Sequence, residues 1–431
     1  MDSLQQRDQK VIWHPFTPQK QMLPPIPIVK ARGSYLYAED GSAYIDAISS
    51  WWVTLHGHAH PHIAEALYKQ ANTLEQVIFA GFTHEPAVAL AEQLLTILPG
   101  NLARVFYSDN GSTSTEVALK MAIQFWWNKG NTRRNKIMAF NNSYHGDTFG
   151  AMSVSDRSVF TLAFANKLFE VVFIDVPTNE NIQALKAEVM RHNRDVAAFI
   201  YEPLVQGAGG LKMYDAGLMS ELLTAMKQEQ IICIADEVMT GFGRTGKLFA
   251  SEYLTETPDI ICLSKGLTGG TMALGVTACN NNIYEAYLSD DTLKTFFHGH
   301  SFTANPLACT AALASLELLL KPTCQQSISN IVHLHQWFAY ELKGLEGIKN
   351  IRQLGTILAF EIDKGKDEYL NNISSTVTAV MLKNGVYLRP LGNTVYIMPP
   401  YSVTTEEYTL IKKAVVGMLQ QVCKSSAVQL A

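Results

Sequence analysis

The sequence predicts an α/β protein on a mostly parallel sheet, followed by a smaller α+β region. Three observations predict it. From about residue 60 to 325, short apolar β-branched runs alternate with long helical patterns, as in βαβ units whose strands are covered on both faces. Beyond about 326 the pattern changes to a helix, two strands and a final helix. The first fifty residues differ again, with Pro15, Pro18, Pro24, Pro25 and Pro27 studding an extended arm.

Taken in order, Tyr35-Leu36-Tyr37 and Ala43-Tyr44-Ile45 alternate apolar and polar around Glu39-Asp40-Gly41-Ser42, which predicts a small hairpin. The runs at 105–107, 138–140, 171–174, 197–201, 231–235 and 260–263 are apolar and too short for helices, and most carry β-branched residues, so they read as strands of the main sheet. A helix is expected to open at about Glu116. In the last region, 358–362 and 395–398 read as strands. The expected division is an arm and part of a small domain over 1–50, a large domain over 51–325, and the small domain over 326–431.

Composition narrows the function. With 431 residues and 47% hydrophobic content, the chain can bury a large core, which excludes a metal- or disulfide-stapled miniature and a disordered chain. Lys and Arg number 34 against 39 Asp and Glu, a net charge of −5. A broad nucleic-acid surface needs the opposite sign. Only 17% of residues are charged, below the usual value of about 25%, which fits area hidden in an oligomer interface. The six cysteines form no Cys-x-x-Cys pair and sit in part within apolar runs, so reduced thiols and a cytoplasmic setting are expected. The polar N-terminus lacks a signal-peptide core, and no uninterrupted apolar stretch reaches about 18 residues, so no membrane association is expected.

In open α/β sheets, ligands bind beyond the carboxyl ends of the strands, so the residues following each run carry the chemistry. Asp236 and Glu237 follow 231–235. Ser264-Lys265-Gly266 follows 260–263. Ser108-Asp109-Asn110-Gly111-Ser112-Thr113 follows 105–107, and Asn141-Asn142-Ser143-Tyr144-His145-Gly146-Asp147 follows 138–140. Each has an ordinary reading as well. A strand-end Asp is often a cap or turn former, a Lys a solvated charge, a Gly-Ser turn only a helix start, and Tyr144 and His145 could simply pack. Their convergence on one face weighs more than any of them alone.

Three motifs are decoys. Gly241-Phe242-Gly243-Arg244-Thr245-Gly246 matches G-x-G-x-x-G, but it starts five residues past Asp236 rather than forming the immediate strand-to-helix turn. With Lys247 it nearly spells a P-loop, yet Leu248 stands where a Mg²⁺-binding hydroxyl is needed. His56, His58, His60 and His62 alternate, but Gly57 and Pro61 break the run and no compact acidic or Cys partner accompanies it, so turn and helix-entry roles are expected and no metal site.

A carbonyl cofactor bearing a phosphate uses all the strand-end residues. Pyridoxal 5'-phosphate needs a Lys for its Schiff base, a carboxylate for its ring nitrogen, donors for its phosphate and an aromatic face. Lys265, Asp236, the Gly111-Ser112 turn and Tyr144 supply these in turn. Enclosure lowers the pKa of a Lys and frees it as a nucleophile and proton carrier.

At this point Asp236-Glu237-Val238, the 241–246 loop, Ser264-Lys265-Gly266, Tyr201-Glu202-Pro203-Leu204-Val205-Gln206-Gly207 and Ile351-Arg352-Gln353-Leu354-Gly355 resemble the signature of class III pyridoxal-phosphate aminotransferases of fold type I. The resemblance covers nearly the whole chain. It implies a large domain with a mostly parallel seven-stranded sheet and a smaller α+β domain, assembled as a homodimer with the active site at the interface. Trp13-His14-Pro15-Phe16-Thr17, Ser49-Ser50-Trp51-Trp52, the stretch from Tyr144 to Ser153, and Arg389-Pro390 are similar to the branch of the family that aminates 8-amino-7-oxononanoate in biotin biosynthesis.

That resemblance implies roles. Lys265, Asp236 and Tyr144 would be catalytic. Gly111 and Ser112 would bind phosphate, with His300 and Ser301 reaching it from the neighbouring subunit. Phe16, Trp51, Tyr144, Lys265, Gly299, Arg389 and Tyr396 would line the substrate site, Arg389 pairing with the substrate carboxylate through its planar fork. Phe16 stands where adenosylmethionine-using members are similar in carrying Tyr, and His300-Ser301 replaces a more usual Pro-Thr. Both changes resemble the members that take the amino group from lysine, which leaves S-adenosylmethionine and lysine open as donor. The alternatives are another class III ω-amine or diamine aminotransferase and a nucleotide-binding protein built on 241–247.

Overall fold

The apolar runs form the centre of the molecule because strands with no polar face must be covered on both sides. The computed structural model describes residues 2–364 and 373–424. Its main sheet has seven strands in the order Leu102–Ser108, Gly275–Asn280, Ile260–Leu263, Ile232–Asp236, Val196–Tyr201, Lys136–Phe140 and Val171–Ile174. Four of the five inner strands are buried at every residue, and the fifth, Lys136–Phe140, at all but its first. Five strands pair in parallel, whereas Gly275–Asn280 runs antiparallel to both of its neighbours. The α/β architecture with a mostly parallel seven-stranded sheet is therefore as expected. The Gly275–Asn280 strand itself has no counterpart in the sequence reading.

Two further expectations need correction. The helix after the first sheet strand spans Gly111–Asn128, so it opens at Gly111 and not at Glu116. Asn110 caps it by accepting from Thr113 N, and Asn110 N donates in turn to the Thr113 hydroxyl oxygen, a reciprocal cap that offsets the weak helix propensity of Gly-Ser-Thr. The arm also contains a helix, Leu4–Val11, closed by a capping box from Ser3 and Gln6.

The predicted hairpin forms from Tyr35–Ala38 and Ala43–Asp46, with Ile28–Arg32 added at its edge. On its other side, Ala43–Asp46 pairs in parallel with Val386–Tyr387, which knits the beginning of the chain to its last quarter. The C-terminal region adds a three-stranded antiparallel sheet of Ile348–Leu354, Ile357–Ile362 and Thr394–Ile397. Helices Pro322–Leu342 and Thr405–Lys424 accompany it. The helix Pro306–Leu319 is rich in buried alanine, which lets it lie close against its neighbours Pro61–Ala71 and Glu85–Ile97. Among the described residues, no single helix is long and apolar enough to cross a membrane.

The four histidines of 56–62 disperse among separate partners. His56 bonds Ser315 Oγ at 3.0 Å, His58 the Asp46 carboxylate at 2.9 Å and His62 Glu317 at 2.7 Å, while His60 precedes the helix Pro61–Ala71. The glycine loop at 241–246 is neither a strand-to-helix turn nor a phosphate cradle. Its Arg244 is buried and donates to the carbonyls of Pro399, Trp52 and Thr54.

Candidate active site

The carboxyl ends of the strands open into a cavity of about 510 Å³ lined by Asn110, Gly111, Ser112, Tyr144, His145, Glu202, Asp236 and Lys265 among others. Strand register explains part of the convergence. Asp236 pairs with Cys262 on the neighbouring parallel strand, which leaves Lys265 three residues farther along, at the same end of the sheet. Lys265 opens a short 3₁₀ turn, Lys265–Thr268, with a left-handed φ of 45°, a conformation that costs an L-residue about 1 kcal/mol or more.

Asp236 is 5% exposed and its carboxylate is held from two sides. Val238 N donates to Oδ1 at 3.1 Å and His145 Nδ1 to Oδ2 at 2.7 Å. His145 is itself fixed, because its N donates to Ser155 Oγ and its carbonyl accepts from Thr115 Oγ1. Lys265 is half-buried at the floor of the cavity, and the desolvation of its amine pushes its pKa down against the pull of Asp236, Glu202 and Asp147. Its Nζ lies 5.0 Å from the centre of the Trp52 ring, a cation–π contact that also orients the amine.

The end of the cavity at Gly111 and Gly146 is built from close backbone approach. A Cβ on Gly146, whose φ is 133°, would lie 2.2 Å from Ser112 Oγ, and one on Gly111 would lie 2.7 Å from a Val238 methyl. Only glycine fits either position. The first N–H groups of Gly111–Asn128 have no partner within the helix and sit at the positive end of an 18-residue dipole.

The remaining expected residues fall into two groups. Phe16, Trp51 and Arg389 form a cluster of their own. The Phe16 and Trp51 rings meet edge-to-face at 5.4 Å, the Arg389 guanidinium lies 5.2 Å from the Trp51 ring centre, and Arg389 donates to the Phe16 carbonyl at 3.0 Å. Phe160 links this cluster to the cavity, 5.9 Å from Phe16 and 6.1 Å from Tyr144. Tyr396 stands one ring behind the cavity wall, buried and edge-on to Trp52 at 6.0 Å. Gly299, His300 and Ser301 do not line the cavity of their own chain.

Sequence reasoning gave no role to four residues that shape the site. Trp52 covers Lys265, and His145 orients Asp236. Asp46 is fully buried and holds the kinked segment Ser49–Trp52 by accepting from Ile48 N, Ser50 N and the Ser50 hydroxyl. Glu202 follows the buried strand Val196–Tyr201 and accepts from Tyr144 N at 3.1 Å and Gly207 N at 2.8 Å. Burial pushes its carboxyl up to about 7, opposed by His145 and reinforced by the charge of Asp236. The strand-end rule that located Asp236 would also have located Glu202.

A doubly wound sheet with an enclosed Lys and an anchored Asp at its carboxyl edge is the framework of an aminotransferase, and the chain belongs to the aminotransferase class-III family, which it matches over residues 16–419. The resemblance read from Asp236-Glu237-Val238 and Ser264-Lys265-Gly266 is thereby borne out. The chain is 45% identical over 427 residues to a protein of Synechococcus elongatus named adenosylmethionine-8-amino-7-oxononanoate aminotransferase, covering 95% of this chain and 99% of that one. A protein of the same name from Helicobacter pylori is 38% identical, with 97% of each chain covered. The crystal structure of the enzyme of that name from Methanocaldococcus jannaschii superposes with a TM-score of 0.93 at 34% identity, covering 97% and 98% of the two chains. An omega transaminase of Pseudomonas jessenii, solved in complex with PMP, gives 0.92 at 25% identity over 98% and 99%.

Proposed function

We propose that this aminotransferase uses pyridoxal 5'-phosphate to move an amino group from S-adenosylmethionine onto the C7 carbonyl of 8-amino-7-oxononanoate, giving 7,8-diaminononanoate for biotin biosynthesis. The observation that carries the reading is the gathering of Lys265, Asp236, Tyr144 and the Gly111–Ser112 helix start on one cavity. The names of the relatives support the acceptor and the donor. We further propose a cytoplasmic homodimer with a large domain over 51–325 and a small domain over 326–431.

The cavity fits the cofactor. Its glycine-walled end suits a phosphate, its anchored carboxylate a ring nitrogen, and its enclosed amine an aldehyde. Bound there, the cofactor supplies an electron sink for the carbon that loses or gains the amino group. Asp236, held by His145, keeps the ring nitrogen protonated. Tyr144 would cover the ring face, and Gly111 and Ser112 would receive the phosphate, joined by His300 and Ser301 of the partner subunit. Lys265, whose enclosed amine holds its proton less tightly than a free lysine's, would form the covalent link. When displaced it takes the proton from the donor's amine-bearing carbon at Nζ and later returns one to the acceptor. Arg389 would bind the acceptor carboxylate, with Trp51, Phe16, Tyr396 and the partner's Gly299 shaping the pocket.

A second reading concerns the donor. Phe16 brings no hydroxyl to the Trp51 cluster, and its ring is packed edge-on between Trp51 and Phe160, which favours lysine. Titration of the coloured holoenzyme with S-adenosylmethionine and separately with L-lysine, without acceptor, decides between them. Bleaching of the visible absorbance by S-adenosylmethionine supports the first reading and bleaching by lysine alone the second. If neither reacts while another amine does, the biotin-pathway reading is wrong.

A further inference from the structure

We infer that Arg352 is a positioning residue for amino transfer: by holding the carbonyls of Gly210 and Leu211 it fixes one wall of the strand-end cavity and, through Glu202, the placement of Tyr144. The inference rests on the cofactor reading given above.

Arg352 lies on Ile348–Leu354 of the C-terminal sheet, outside the strand-end cavity. Its side chain is 12% exposed and its guanidinium is almost fully used. Nε donates to Leu211 O at 2.8 Å, Nη2 to Gly210 O, and Nη1 to Asn350 O and to Glu361 Oε1 at 2.9 Å. The two carbonyls can be taken together because Gly210 and Leu211 are both left-handed, with φ of 93° and 54°, which turns consecutive C=O groups toward one side. Leu211 is fully buried, so it holds a conformation unfavourable to a residue with a Cβ. A cationic planar fork at its carbonyl supplies what keeps it there.

The other side of the same loop is pressed onto the segment that carries Tyr144. Gln206 Nε2 donates to Asn141 O at 2.7 Å, and a Cβ on Gly209 would lie 2.1 Å from Asn142 O. Gly207 N donates to one oxygen of Glu202 at 2.8 Å, and Tyr144 N donates to the other at 3.1 Å. Between these anchors, Ala208 borders both the strand-end cavity and a second cavity of about 580 Å³ beside it. A hydrogen-bonded path thus runs from Arg352 through the loop and Glu202 to Tyr144. The plainer account makes Arg352 only the ion-pair partner of Glu361, yet three of its four bonds go to carbonyl oxygens.

The test compares holoenzyme forms of R352Q, R352K and E361Q for kcat, KM, thermal midpoint and circular dichroism of the bound cofactor in the visible. R352Q is expected to lower kcat at least tenfold and to diminish the visible dichroic band. R352K, which keeps the charge and can still pair with Glu361 but cannot span two carbonyls, is expected to show the same change in milder form. E361Q should retain kcat within about twofold and keep the band. Should R352Q fail to fold, R352K carries the test. Wild-type kcat and dichroism in the arginine variants would overturn the inference, as would E361Q reproducing their loss. A wild-type protein that never acquires a visible band with added pyridoxal phosphate would overturn the cofactor reading, and this inference with it.

Discussion

Lowering the pH should loosen the C-terminal region through one buried histidine. His335, on Pro322–Leu342, is fully buried. Its Nε2 lies 3.0 Å from Thr356 O, which can only accept, so Nε2 carries the hydrogen and Nδ1 accepts from the Tyr408 hydroxyl at 2.6 Å. The neutral ring satisfies both partners. Burial accordingly holds its pKa down from 6.5 to about 4, opposed by the bond to Thr356. Above pH 6.5 both folded and unfolded forms are neutral, and the contribution is fully present. As pH falls below 6.5 the unfolded chain takes up a proton that the folded chain refuses, so stability is lost progressively down to about pH 4. At roughly 1.4 kcal/mol per pH unit this amounts to about 3 kcal/mol in all, of which about 2 is gone at pH 5. Urea unfolding of wild type and His335→Gln at pH 7 and pH 5 isolates the effect, since the amide can donate to Thr356 and accept from Tyr408 without titrating. The wild type should lose about 2 kcal/mol more than the variant between the two pH values. Equal losses in the two proteins would refute the argument.

The site makes three further predictions. Lys265→Ala should fold but lose turnover altogether; residual steady-state activity near the wild-type rate would remove Lys265 from the chemistry. Arg389→Ala should raise KM for the oxononanoate about 30-fold or more, the lower end of the ~2–5 kcal/mol lost when one partner of a charge pair is removed, whereas an unchanged KM would mean another group binds the carboxylate. Gly146→Ala places a Cβ 2.2 Å from Ser112 Oγ and must displace the phosphate end of the cavity, so cofactor affinity measured by fluorescence titration should fall at least tenfold, about 1.4 kcal/mol; unaltered affinity would move the phosphate elsewhere.

The parts of the site that were legible in the sequence are those where one local rule suffices. Asp236 and Lys265 each end a β-branched apolar run, and strand polarity alone then puts them at the same edge. The start of Gly111–Asn128 was misplaced because Gly111-Ser112-Thr113-Ser114-Thr115 is a poor helix former, and the apolar pattern begins only after it; the Asn110 cap carries the helix across that stretch. The strand Gly275–Asn280 was missed because Gly275, Ala278, Cys279 and Asn280 are weak strand formers that leave only Val276 and Thr277 to mark it. Leu4–Val11 buries no residue, so no amphipathic period announces it. What could not be read is what joins distant segments. The contacts of Arg352 with Leu211, of Trp51 with Arg389 and of His145 with Asp236 depend on how elements stack, and nothing in the neighbourhood of either residue encodes its partner.

The pairing of Ala43–Asp46 with Val386–Tyr387 also bears on how the protein is made. At about 5–20 residues per second, the ribosome needs tens of seconds to reach the second strand after finishing the first. Through that interval the nascent hairpin presents an open edge on Ala43–Asp46, an invitation to pair with other chains. The main sheet, whose strands all lie between Leu102 and Asn280, can assemble earlier and without it. Synthesis therefore leaves the amino-terminal hairpin waiting for the carboxyl-terminal segment, and shielding that edge is the task a chaperone would perform for this chain.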